Sequence, residues 1–277
     1  MITNQPGIEL VGVRLDHPRG GEPLVAEAHL RVTGGERALI VGAAGVGTSR
    51  LVASVLGEVA AAAGRIEVLG HDVGRLRRSS LRMLRRRVGI VPQDLCLLED
   101  RSAQLNVVLP LEIDGIPRSM STVRAARVLA LLGLEDDAAR PVDQLSMAVR
   151  QRVAVARALI REPELVIADH PTSAQDAEGA ELVCAALAEA AKRGAACLVL
   201  GRDPALRAIA ERDGWRQLAL VRGQLRPLAE LSPASLDDAL VDVSAPIAAP
   251  IAPIAAPAEL DPLDNVVPFP LRSVGAR

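Results

Sequence analysis

The feature that most constrains this chain is a glycine loop set between a short apolar strand and a helix. Residues 38–41 run directly into Gly42-Ala43-Ala44-Gly45-Val46-Gly47-Thr48-Ser49, and Leu51, Val52, Val55 and Leu56 follow at helical spacing. A loop of the form G-x-x-x-x-G-K-[ST] surrounds phosphate oxygens with backbone N–H groups at a helix N-terminus, while its lysine neutralises their charge. Here Thr48 stands in the lysine position, and the sole lysine of the chain, Lys192, lies at the charged end of another expected helix. The motif keeps its backbone half and lacks its cation.

Around this loop, strands are expected at residues 8–15, 24–32, 64–69, 88–91, 165–168 and 196–200. Helices are expected at 124–132, 145–160, 180–192 and from Pro204, with a hairpin around Arg222-Gly223. Alternation of this kind implies an α/β fold with a mainly parallel sheet and helices on both faces. With 277 residues, 49% of them apolar, the chain can bury such a core.

Composition removes several classes. A net charge of -2 offers no bulk attraction to nucleic acid, and with Trp215 and Phe269 as the only large aromatics no stacking platform for bases can be built. No specific nucleic acid is therefore expected as a partner. Cys96, Cys184 and Cys197 form no C-x-x-C pair, which suits reduced thiols in a cytosolic setting. No stretch reads as a signal peptide or a bilayer span, so a membrane role would be peripheral. From about residue 244 the Ala-Pro-Ile repetition forbids helix and favours an extended linker. Residues 265–272 read either as a docking peptide or as a plain tail.

Downstream of the loop stand Val91-Pro92-Gln93-Asp94, then Leu145-Ser146 with Gln151-Arg152-Val153-Ala154-Val155-Ala156-Arg157-Ala158-Leu159, then Leu165-Val166-Ile167-Ala168-Asp169-His170-Pro171-Thr172. In order and spacing these resemble the Walker A, Q-loop, signature, Walker B and D-loop segments of an ATP-binding cassette (ABC) nucleotide-binding domain. Residues 88–94, 97–102 and 106–111 most resemble the cell-division FtsE and lipoprotein-releasing LolD branch. The resemblance covers roughly residues 8 to 230. It implies an ABC ATPase-type P-loop domain over 1–232 with an N-terminal antiparallel β portion and a helical subdomain at about 95–162. A short helix and a Pro/Ala-rich tail would then occupy 233–277.

The resemblance further implies that Gly42, Gly45, Gly47, Thr48 and Ser49 face ATP. Ser49, Gln93 and Asp169 would lie on the magnesium side, Ser146 would face a partner's nucleotide, and Asp176 would cross a homodimer or heterodimer interface. It implies an integral permease-like, FtsX-type membrane subunit docked near Leu97, Leu98 and Leu109, and a cytoplasmic site at the inner face of the membrane. His170 occupies the place of the Walker B glutamate, Arg202 that of the switch histidine, and Met147-Ala148 that of the signature glycines. Asp16 and His17 stand where relatives carry an adenine-stacking aromatic. Arg50 either presents a cation to phosphate or faces solvent. Since each ABC site combines one subunit's Walker residues with the other's signature, no pairing leaves a whole site. Two classes stay open: a working ATPase, and a docking subunit that has lost hydrolysis. The arginine run 75–87 reads first as a solvated helix face, then as a lipid-headgroup or DNA contact.

Overall fold

The computed structural model describes residues 6–232. Elements follow in the order β1 (Pro6–Leu15), β2 (Val25–Thr33), β3 (Arg37–Val41), α1 (Thr48–Val55), β4 (Ala63–Val68), β5 (His71–Asp72), α2 (Arg78–Arg85), β6 (Val88–Val91), α3 (Ala103–Ile113), α4 (Arg118–Leu131), α5 (Met147–Leu159), β7 (Leu165–Asp169), α6 (Ala177–Lys192), β8 (Ala196–Leu200), α7 (Pro204–Arg212), β9 (Arg216–Val221) and β10 (Gln224–Pro227). The strands join in the order β5-β4-β1-β2-β10-β9-β3-β8-β7-β6. β1, β2, β4 and β5 pair antiparallel, whereas β9, β3, β8, β7 and β6 run parallel.

Alternation along the parallel strands sends successive side chains to opposite faces. Leu39, Val41, Val166, Ala168, Cys197 and Val199 join a core with α3 to α7. Their neighbours Ala38, Ile40, Leu165, Ile167, Leu198 and Leu200 join a second core with α1 and the antiparallel strands. Burial on both faces explains why these strands read as continuous apolar runs. Burial also pushes the pKa of the Cys197 thiol on β8 and of the Cys184 thiol on the covering α6 up to about 12, which makes them inert packing groups.

Two helices extend the expectations. α4 begins at Arg118, six residues before the expected start, because Pro117 sets the chain direction at its N-cap. α3 contains Pro110 and falls where no helix was expected. Its fully buried Asn106 explains the arrangement, since the side chain accepts from the Leu98 N–H at 2.7 Å and donates to the Leu98 and Ser102 carbonyls.

The arginine run is partly structural. Arg85 donates twice to the Leu56 carbonyl, Arg86 faces Asp114, and Arg75 faces Asp72. Arg87 makes a two-pronged pair with Glu164, holding that carboxyl below its ordinary range. Arg77, Arg78 and Arg82 are left on the exposed side of α2. The linker from 244 and the segment 265–272 lie outside the described residues.

Candidate functional site

Parallel strands bring their C-terminal ends to one edge, where a crevice forms outside the sheet. Val91 lies opposite Ala168, Asp169 opposite Leu200, and Leu200 opposite Ile40. The segments that leave these strands, Pro92-Gln93, His170-Pro171, Gly201-Arg202 and Gly42 to Ser49, thus emerge side by side.

In the glycine loop, Gly47 is the N-cap of α1 at φ 114°. A Cβ there would sit 2.9 Å from Leu24 Cβ, and a Cβ on Gly42 would sit 2.8 Å from Val46 Cγ1 and 3.1 Å from Thr48 Cγ2. Thr48 is buried with its methyl packed on Gly42, while Ser49 is exposed. No side chain caps the first turn of α1. Arg50 is half-buried rather than solvent-facing, and its Nε is buried without a hydrogen-bond partner among the described residues. Asp16 pairs with Arg14, and His17 Nδ1 accepts from the Arg19 N–H, so both belong to an exposed polar turn.

Gln93, His170 and Arg202 line one cleft of about 590 Å³, together with Ser173, Asp203 and Arg207. His170 sits at φ 53°, a left-handed conformation uncommon for a side-chain-bearing residue. Its N–H donates to the Leu200 carbonyl at 2.7 Å, and its carbonyl accepts from Gln151 Nε2, also at 2.7 Å. Its Nδ1 lies 2.8 Å from Asp169 Oδ1. One oxygen of the Asp169 carboxylate is thus engaged, and the imidazole is left with Nε2 for other chemistry.

Four residues outside the expected set organise this edge. The buried Gln151 of α5 ties the His170 carbonyl, Ser173 Oγ and the Ala174 N–H together. Thr172 Oγ1 donates to Asp203 Oδ2 at 2.7 Å, which links the loop after β7 to the loop after β8. Arg207 forms a wall of the cleft. For Gln151 the available signal was an amide among the apolar residues of a buried helix face; Thr172, Asp203 and Arg207 carried none.

Ser146 and Asp176 line a different cleft of about 400 Å³. Ser146 caps α5 by accepting from the Val149 N–H, and Asp176 caps α6 by accepting from the Gly179 N–H. Gln175 Nε2 donates to the Ala148 carbonyl and to Gln151 Oε1, which ties the loop before α6 to α5. Beyond Gln93 the chain passes through two left-handed residues, Leu95 and Cys96, whose carbonyls both accept from Arg157. Burial lowers the Arg157 guanidinium from its ordinary value. Leu97 and Leu109 are half-buried, and Leu98 is 45% exposed.

A glycine loop, an aspartate-ended strand and a third strand-end loop on one parallel edge define a P-loop α/β cassette. The sequence model described as ABC transporter matches residues 25–173, and the chain belongs to that family. It is 36% identical over 212 residues to the methionine import ATP-binding protein MetN of Brucella abortus (strain 2308), covering 76% of this chain and 57% of that protein. It is 36% identical over 211 residues to the macrolide export ATP-binding/permease protein MacB of Escherichia coli (strain K12), covering 75% of this chain and 32% of that protein. The chain thus spans between a third and about half of these relatives. The dimeric structure of MJ0796, a bacterial ABC transporter cassette, superposes with a TM-score of 0.72 at 26% identity, over 79% of this chain and 96% of that one. The ABC ATPase fold expected from the sequence is the one adopted. Among the described residues no helix is long and apolar enough to cross a membrane.

Proposed function

We propose that this chain is the ATP-binding-cassette subunit of an FtsE/LolD-like membrane complex, acting as a docking or regulatory subunit for a permease-like partner with ATP hydrolysis largely lost. Its relatives span import and export, so the branch assignment rests on the segment 88–111. The observation that carries the docking role is Leu98. Asn106 holds its backbone at both N–H and C=O while its side chain stands 45% exposed, a fixed apolar contact beside the Q-loop.

The backbone cradle of Gly42, Gly45 and Gly47 fits the phosphates of ATP, and Ser49, Gln93 and Asp169 are the residues that would hold magnesium. When bound, the metal would neutralise charge on the phosphates. Thr48 brings no charge to the loop, and one Asp169 oxygen is spent on His170, so the fit is weakest where charge must be neutralised. Loss of a general base typically costs about 100- to 10,000-fold in rate. A missing charge-assisted phosphate contact costs roughly 1.5–3 kcal/mol more.

One observation favours the second reading, an active ATPase: Asp169 fixes the His170 tautomer as a carboxylate does for a catalytic base. Turnover distinguishable from background in purified protein would select it.

Docking is tested by co-purification from detergent-solubilised membranes. Leu98→Glu is expected to release an integral membrane partner, and its exposed position lets the variant fold. Thr48→Ala is expected to retain the partner. Release by Thr48→Ala with retention by Leu98→Glu would make the subunit nucleotide-gated instead.

A further inference from the structure

The arginine run between β5 and β6 divides in two once the chain is folded. Arg75, Arg85, Arg86 and Arg87 are matched by Asp72, Glu58, Asp114 and Glu164, and those acids are thereby occupied. Arg77, Arg78 and Arg82 are exposed, and their guanidinium groups have no hydrogen bond or ion pair among the described residues. Arg78 and Arg82 stand one turn apart on α2, so they share one ridge of the helix. Beside that ridge Met83 is 60% exposed, an apolar side chain on a helix whose other exposed residues are arginine and serine. A cleft of about 400 Å³ opens next to it, with Leu76, Met83 and Leu84 as its apolar wall and His71, Ser80 and Arg86 among its polar groups.

From this juxtaposition we infer that α2 lies on a bilayer surface rich in anionic phospholipid, with Arg77, Arg78 and Arg82 at the lipid phosphates and Met83 among the first acyl carbons. Unmatched cations and an exposed apolar side chain on one short helix fit a charged headgroup layer over hydrocarbon, the two environments that an interfacial helix meets at once. A polyanion without an apolar layer, such as DNA, would engage the arginines and leave Met83 and the wall of Leu76 in water, which favours the bilayer as the occupant. With eight residues α2 is far too short to span a bilayer, so the contact is superficial. It goes beyond the docking role proposed above, because it needs neither nucleotide nor a permease-like partner.

The test floats the full chain at about 0.1 M salt with vesicles of phosphatidylcholine, either alone or with roughly one third phosphatidylglycerol. Flotation is expected with the anionic vesicles only, with release at about 1 M salt, where screening is nearly complete. Arg77→Gln, Arg78→Gln and Arg82→Gln together should weaken partitioning about 100-fold, about fivefold per arginine. The same loss of charge elsewhere, through Arg19→Gln, Arg127→Gln and Arg226→Gln together, should change it by less than about threefold. Met83→Ser should weaken it about fivefold through lost apolar burial. In the unsubstituted protein, nitroxide-labelled lipid in anionic nanodiscs is expected to quench the Met83 methyl NMR signal more than that of Met147, which is 62% exposed on α5. Absence of flotation, equal flotation with neutral vesicles, equal loss in the two arginine triples, or Met83 quenching no greater than that of Met147 overturns the inference. Salt-sensitive binding combined with that last result would assign the arginines to an acidic protein or a nucleic acid instead. Because the Met83 signal is read in the unsubstituted protein, a variant that fails to fold does not shield it. Co-purification of a membrane partner is scored separately, so failure here leaves the docking proposal standing.

Discussion

Two helix N-termini in this molecule carry motif positions, and they are built in opposite ways. At α1 the glycines persist and no side chain caps the first turn. At α5 the equivalent turn is built from ordinary residues: Ser146 caps the Val149 N–H, and Met147 stands 62% exposed over the helix start. The difference follows from what each glycine does for the fold. Gly47 is held at φ 114° with Leu24 Cβ 2.9 Å from where its own Cβ would be, and Gly42 has Val46 and Thr48 pressed against it. Replacing them strains the protein whether or not a ligand ever arrives. At 147 and 148 the backbone is helical, so glycine there serves only an approaching ligand. Glycines that the fold itself requires say little about nucleotide binding; Met147 and Ala148, where the fold requires no glycine, are the residues on which the proposed hydrolysis-deficient reading turns.

Three sets of substitutions test this difference. The largest effect is expected for Gly47→Ala, which should cost about 1–3 kcal/mol of stability through the strained φ and the Leu24 contact. Thermal melts without nucleotide check this, and an unaffected melting temperature would mean that the loop glycines are kept for the ligand after all. The paired change Met147→Gly with Ala148→Gly should cost about 1–2 kcal/mol through helix propensity. It should produce no turnover above background in a phosphate-release assay. Activity on restoring these two glycines alone would place the whole defect at α5. The smallest effect is expected for His170→Glu, which should change turnover by less than about threefold, because catalytic groups that act as a unit are not rescued singly. A strong rise would show an otherwise assembled site and would return the protein to the working ATPases.

The parallel strands were legible in the sequence because burial on both faces makes them uniformly apolar, and β3, β6, β7 and β8 fall within a residue of their expected bounds. α3 was not legible. Its Pro110 argues against helix locally, and what stabilises the segment is Asn106 reaching back to Leu98, a tertiary contact. The arginines from 85 to 87 looked like a charged surface, yet their partners Leu56, Asp114 and Glu164 lie far along the chain. The same holds at the site. Gln93, His170 and Arg202 were selected by motif order, whereas Thr172, Asp203 and Arg207 enter only through the folded geometry.

The strand–loop–helix unit at Gly42 to Ser49 and the α/β alternation can be read from the sequence alone, because they are local patterns of glycine and apolar period. That His170 and Arg202 share a cleft with Arg207 while Ser146 and Asp176 line another, and that Leu98 faces outward, follows from the folded chain and not from local pattern. The physical reason is the sheet order. β6, β7, β8 and β3 are neighbours in an order that differs from their order in the chain, and that order sets which strand-end loops meet.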